Sequence, residues 1–418
     1  MKMTLSVCWI GILLAGCGTV PRQEAPPSLF GAATPVGFPS TVRSLAVDRR
    51  YYAARAHEAQ RRVRAAAAGG TINILALSGG GAGGAFGAGA LVGLSRRRER
   101  PQFEIVTGVS AGAIIAPFAF LGPAWDAQLI EAYLGGRLEH LLRLRGVGVL
   151  FSPGLYQLEP LTELVDHFVT DEVIQAVAHE AAKGRLLLVA TTDLDKEETV
   201  IWDMGAIAAH GGKAARTLFR DVLVASASIS GVFPPVMIHV EDAGTSYDEM
   251  HVDGGATVPF FIMPGFFNIL PSEPDGLKGA NVYVLINTQL GESPRTTPVE
   301  PIPVIARSFS ATLKHMSRET LGLTAAFAQR QGMSLRFSEI PVDYPFQGPL
   351  DFHASNLQAL FNYAAECAFE GRLWTTIDQA LNRGERAALD RASKAQRQVP
   401  GQTVKCPLDE PPNPVQPK

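Results

Sequence analysis

The stretch LALSGGGAGGAFGAGAL, Leu75–Leu91, runs from an apolar segment into a small-residue helix through Gly79, Gly80, Gly81, Gly83 and Gly84. Glycine loses more conformational freedom on folding than any other residue, so such a run needs a geometric reason. Before it, INILAL (72–77) reads as a strand buried on both faces. After it, 85–95 suits a helix. A glycine turn between strand and helix presents bare N–H groups beside the positive end of a helix dipole, which makes an anion cradle. The anion is a phosphate or a transient oxyanion. Gly79-x-Gly81 with Gly84 fits G-x-G-x-x-G, but a dinucleotide site expects an acidic residue closing the next strand about 20 residues on. Glu99 and Glu104 stand near that distance and close no strand. A Walker loop would end in Gly-Lys-Ser/Thr, which is missing.

Outward from that stretch, strands and helices alternate. FEIVTGV (103–109), RLLLVATTDL (185–194) and NVYVLINTQL (281–290) read as strands. Residues 44–68, 111–122, 160–169, 171–182 and 213–228 read as helices, and 303–333 and 355–381 as mostly helical. The pattern predicts an α/β domain with a mostly parallel central sheet and helices on both faces.

The second strand leads into GVSAG, Gly108–Gly112. This is G-x-S-x-G between strand and helix, the setting of a nucleophile elbow, with glycines making room for the tight crossing. Ser110 is a candidate nucleophile; the plainer job for a serine there is a helix N-cap. A serine nucleophile needs a base. YDEMHVDGGATVPF supplies Asp253, followed by Gly254 and Gly255. Alone, DGG reads as a turn.

Taken together, LSGGGAGGAFGAGAL, GVSAG, ASASISGVFPPV (225–236) and DGG resemble the patatin-like phospholipase family over roughly residues 72–290. The resemblance implies a three-layer α/β/α sandwich and a serine acyl hydrolase with a Ser–Asp dyad. It implies Ser110 as nucleophile, Asp253 as base, and Gly79, Gly80 and Gly81 lining the oxyanion hole. It calls for no cofactor and no metal. The implied partner is a lipid acyl ester of phospholipase A or lysophospholipase type. One departure stands out: the family usually carries Arg or Lys after G-G-G-x, and here the place is Gly83. A hole of backbone donors survives that change, but a cation that would attract acidic head groups is gone. Two other readings stay open. One is a Ser–His–Asp esterase, with His251, His315 or His353 as the imidazole. The other is a lipid-binding envelope protein that keeps the fold without turnover.

The N-terminus, MKMTLSVCWIGILLAGCGTV, has Lys2 before an apolar run from Thr4 to Leu14, too short to span a bilayer. Leu14-Ala15-Gly16-Cys17 resembles the lipobox of bacterial lipoproteins, which implies cleavage before Cys17 and lipidation of it. Gly18 then favours the outer membrane. The expected organisation is a signal peptide at 1–16, a tether and N-terminal helix at 17–70, a catalytic domain at 71–290, a mostly helical extension at 291–398 and a Pro-rich tail at 399–418. Six arginines, Arg49, Arg50, Arg55, Arg61, Arg62 and Arg64, lie on the N-terminal helix, either on a solvated face or toward anionic head groups. VGVLFSPGLY (147–156) is an acyl-channel lining or ordinary packing. Cys367 and Cys406 are either a disulfide or two unrelated cysteines. A formal net charge of -3 gives no basic excess, so nothing points to nucleic acid.

Overall fold

The computed structural model describes residues 22–26, 33–45, 49–146, 153–263, 277–394 and 404–408, with the side chains of 45–57 and 386–394 excepted. The expected signal peptide and Cys17, most of the tether, residues 147–152 and most of the Pro-rich tail lie outside them.

In chain order the elements are β1 (Thr34–Pro35), β2 (Arg43–Leu45), α1 (Arg49–Ala66), β3 (Asn73–Leu77), α2 (Gly84–Arg97), β4 (Ile105–Val109), α3 (Ala111–Leu121), α4 (Asp126–Leu134), α5 (Glu159–Phe168), α6 (Asp171–Ala182) and β5 (Leu186–Asp193). There follow β6 (Glu198–Asp203), α7 (Met204–His210), α8 (Gly212–Ser226), β7 (Val236–Asp242), β8 (Thr245–Asp253), β9 (Asn281–Ile286), α9 (Pro301–Arg330), β10 (Ser334–Glu339), α10 (Ala354–Phe369) and α11 (Ile377–Lys394).

The sheet runs β1-β7-β8-β5-β4-β3-β9-β10, with β6 on β5 and β2 on β6. From β5 to β10 every pairing is parallel. Beyond β5 the pairings turn antiparallel. Successive strand residues point to opposite faces. Leu75 and Leu77 of β3, Val106 of β4 and Leu187 and Val189 of β5 enter one apolar core. Ile74, Ala76, Ile105, Leu186 and Leu188 enter another. Helices α2, α3, α5, α8 and α10 fill the first core, and Val63 of α1 with Leu321 and Ala328 of α9 fill part of the second. Both faces are covered, which is why the central strands read as continuous apolar runs. The fold is a three-layer α/β/α sandwich with a mostly parallel central sheet.

Several local expectations are corrected. The N-terminal helix begins at Arg49, because Arg43–Leu45 pairs with β6 instead. Residues 355–381 are two helices, broken where Gly371 turns at φ +75° and Thr375 bridges to Phe337. The region read as mostly helical also supplies β10, parallel to β9 in register Ser334↔Asn281. Cys367 and Cys406 form a disulfide that holds residues 404–408 against α10. Among the described residues no helix is long and apolar enough to cross a membrane.

Candidate active site

Strand β4 delivers Ser110 to the C-terminal edge of the sheet, where α3 begins. Ser110 takes φ 55°, ψ -124°, a left-handed conformation rare for a side-chain-bearing residue. Such strain costs on the order of 1–3 kcal/mol and persists where the surroundings enforce it. Here they do. The Ser110 N–H donates to Ser226 Oγ at 3.0 Å, and that hydroxyl donates on to Ala190 O at 2.7 Å. Gly112 fits because a Cβ on it would stand 2.3 Å from Leu77 O.

Strand β8 delivers Asp253 to the same place. Ser110 Oγ donates to Asp253 Oδ2 at 2.6 Å. The other carboxylate oxygen accepts the Gly255 N–H at 2.6 Å. Asp253 N–H donates to Ser228 O at 2.9 Å, so the last residue of α8 and the loop after it anchor both partners. Ser110 is 2 % exposed and Asp253 0 %. Burial pushes the Asp253 carboxyl up, against the opposing pull of the Ser110 hydroxyl and the Gly255 N–H, to about 7. That is the range in which a general base works at neutral pH.

The glycine loop lies across from this pair, and its expected role needs one correction. The Gly79 N–H is spent on Pro259 O at 3.1 Å, so Gly79 is no oxyanion donor. Gly80 and Gly81 keep N–H groups with no acceptor among the described residues. Ala111, the first residue of α3, also has no intrahelical acceptor. Gly81 and Ala111 border the same pocket as Ser110. Why Gly80 and Gly81 must be glycine is a separate matter. A Cβ on Gly80 would stand 2.0 Å from Asn287 O, and one on Gly81 2.0 Å from Pro349 O. The protein's own backbone, rather than substrate, crowds these two positions.

Asn287, just beyond β9, is the organiser that the sequence did not reveal. Its N–H donates to Ser78 Oγ at 2.8 Å and its Nδ2 to Ser78 O at 2.7 Å. Its Oδ1 accepts the Gly87 N–H at 3.1 Å. It thereby fixes the glycine loop to the first turn of α2. A polar residue ending an apolar strand at the ligand-facing sheet edge was the available signal. Ser226 was equally overlooked, inside the quoted ASASISGVFPPV motif.

A pocket of about 540 Å³, its open mouth included, starts at Ser110 and Gly81. Leu138, Leu141, Leu161, Leu164, Ile229 and Phe233 give it an apolar wall suited to an acyl chain. Of the expected channel segment, 147–156, only the end is described.

No histidine is among the described partners of Ser110 or Asp253. His251 shares β8 with Asp253 but is buried against Thr191 Oγ1 (2.9 Å) and Glu249 Oε2 (3.3 Å). His353 is exposed and pairs with Asp351. His315 is exposed on α9. Asp193, Glu249 and His251 cluster closely enough to suggest a metal site. Lys196 Nζ already lies 3.1 Å from Asp193 and 2.5 Å from Glu249, and Arg43 also pairs with Glu249. These cations supply the charge a metal would bring, so the cluster reads as a buried ion-pair network.

Residues 75–264 match the family model of patatin-like phospholipases, which marks this segment as a domain of the lipid acyl hydrolase superfamily. Among solved structures, the crystal structure of VipD from Legionella pneumophila is similar at 12% identity and a TM-score of 0.30, covering 72% of this chain and 67% of that one. No curated protein sequence matches the chain.

Proposed function

We propose that the patatin-like phospholipase domain at residues 75–264 is a serine hydrolase of lipid carboxylic esters, working through Ser110 and Asp253. The observation that carries this reading is the 2.6 Å hydrogen bond from Ser110 Oγ to Asp253 Oδ2, at the head of an apolar pocket. Asp253 takes the Ser110 proton as Oγ attacks the ester carbonyl. The carbonyl π electrons move onto its oxygen, and the N–H groups of Gly80, Gly81 and Ala111 stabilise that charge; losing one such donor typically costs about 3 kcal/mol. The tetrahedral adduct collapses, the C–O bond to the alcohol breaks, and the alcohol takes the proton held by Asp253. A water, deprotonated by Asp253, then attacks the acyl-serine; the bond from the acyl carbon to Ser110 Oγ breaks, the fatty acid leaves, and Asp253 gives the proton it took to Ser110 Oγ.

A fluorophosphonate should label the full chain at Ser110, and both labelling and hydrolysis of a short acyl ester should vanish in folded Ser110→Ala. Persistent labelling of that variant would remove the assignment. Asp253→Asn should lose several orders of magnitude, whereas His251→Ala, His315→Ala and His353→Ala should each keep most of the turnover. A folded histidine variant as inactive as Asp253→Asn would put a triad in place of the dyad.

The lipid anchor at Cys17 and an outer-membrane location rest on the lipobox-like sequence alone. Metabolic acyl labelling that survives Cys17→Ser would exclude that anchor.

A further inference from the structure

Among the described residues that line the pocket at Ser110, Tyr133 carries the one polar side chain besides the nucleophile; all the rest are apolar or glycine. Tyr133 lies near the end of α4, and its ring reaches the start of α2. A Cβ on Gly84 would stand 2.3 Å from Tyr133 Oη and 3.1 Å from Ala111 Cβ. The hydroxyl therefore stands beside the residue that follows the nucleophile, at the end of the pocket where the acyl carbonyl has to lie. Any side chain at Gly84 would take its seat.

Tyr133 is 6% exposed, and its hydroxyl has no hydrogen-bond partner among the described residues. Burial alone pushes that hydroxyl up, with no neighbouring charge or hydrogen bond acting on it. A buried tyrosine hydroxyl ordinarily finds a partner. Phenylalanine would fill the same space without an unpaired polar atom and its desolvation cost. A ligand that displaces water from such a group without replacing the hydrogen bond loses affinity. A plain hydrocarbon chain entering this pocket does that. A chain with an oxygen close to its carbonyl instead accepts the Tyr133 O–H, against a wall that offers no competing side-chain donor among the described residues. Sites built to pair a substrate oxygen reject the analogue lacking it far more strongly than apolar pockets discriminate by size.

We propose that the Tyr133 hydroxyl selects acyl esters whose chain carries a hydroxyl or keto oxygen on one of its first few carbons, by donating a hydrogen bond to that oxygen. The inference rests on reading Ser110 and Asp253 as the hydrolytic pair. Tyr133 acts here in specificity alone and exchanges no proton with the reacting ester.

The test compares ethyl hexanoate, ethyl 2-hydroxyhexanoate and ethyl 3-hydroxyhexanoate as substrates of the full chain and of Tyr133→Phe. For each protein, kcat/KM for an oxygenated ester is divided by kcat/KM for ethyl hexanoate. Comparing that ratio between the two proteins cancels the intrinsic reactivity of the esters. For at least one oxygenated ester the wild-type ratio should exceed the Tyr133→Phe ratio by about tenfold or more. Ratios that agree between the two proteins for both oxygenated esters overturn the proposal. That is also the result a purely structural tyrosine would give, since its loss slows all three esters alike. Tyr133→Phe should melt no lower than the wild type, because the hydroxyl it removes has no partner within the protein. A lower melting temperature would reveal such a partner and overturn the proposal as well. If the wild type hydrolyses none of the three esters, the hydrolytic reading falls. NMR titration of the same esters into Ser110→Ala, with and without Tyr133→Phe, then decides the recognition by the same ratio taken over dissociation constants.

Discussion

Ser110 Oγ and Asp253 Oδ2 lie 2.6 Å apart in a site from which water is nearly excluded, and the carboxyl is raised to about 7. Deprotonated, Asp253 is the base; protonated, it is not. Hydrolysis should therefore rise with pH through a single inflection near 7 and level off above it. Stability runs the other way. The folded pKa lies above the unfolded value of about 3.9. Native protein thus binds this proton more tightly, and the contribution is full below about pH 4 and lost as pH rises through 7. It amounts to a few kcal/mol in order of magnitude. Urea melts from pH 4 to 8 should show this slope in the wild type and lose that component in Asp253→Asn.

Gly80→Ala places a methyl 2.0 Å from Asn287 O, a backbone atom of β9's end that cannot swing aside. The expected loss is about 3 kcal/mol or more, as for severe overpacking. Gly322, in the middle of α9, has open space around it. Gly322→Ala should stabilise by about 0.5–1 kcal/mol through helix propensity. Equilibrium denaturation of the two variants should separate them in sign.

Ser226→Ala deletes the hydroxyl between Ser110 N and Ala190 O. The buried Ser110 N–H then lacks its acceptor, at a cost of about 1–3 kcal/mol. The strained turn at Ser110 also loses its brace. Turnover of a short ester should fall about tenfold, mainly in kcat, because the nucleophile is misplaced and not removed. Ser226→Cys, which restores a weak acceptor, should recover part of it.

The Cys367–Cys406 link closes a segment with a sequence separation of 39, and α10, which carries Cys367, packs on α2. Replacing both cysteines with serine should cost about 4 kcal/mol on the chain-entropy argument. A reductant should lower the melting temperature of the wild type and leave that of the double variant unchanged.

Much of the frame was legible because it is written in local patterns. The apolar runs of β3, β4 and β5 and the amphipathic repeats of α5 and α6 announce themselves. Ser110 and Asp253 could be singled out from their glycine-flanked turns. What failed to show depends on partners far along the chain. β10 is a strand because β9 offers it an edge, and in SLRFSE only the short alternation of Leu335 and Phe337 with polar residues hints at it. The antiparallel β7–β8 hairpin, which carries Asp253 into place, depends on pairing from Val236↔His251 to Asp242↔Thr245. Gly80 and Gly81 advertised a close approach without naming the intruder, which is Asn287 for one and Pro349 for the other. Gly79 looked equivalent to its neighbours until Pro259 took its N–H.

That crowding decides how the oxyanion donors can be interrogated. Their N–H groups belong to the main chain, and every side chain added at Gly80 or Gly81 collides with a carbonyl before it meets substrate. At those two positions no side chain removes the donor and spares the scaffold. The subtraction has to be made on the other molecule. A thionoester, with sulfur replacing the carbonyl oxygen, keeps the acyl chain and the leaving group but presents a larger and poorer acceptor. Its deficit relative to the oxygen ester, set against the same pair in alkaline water, would read out the main-chain donors of an unaltered protein.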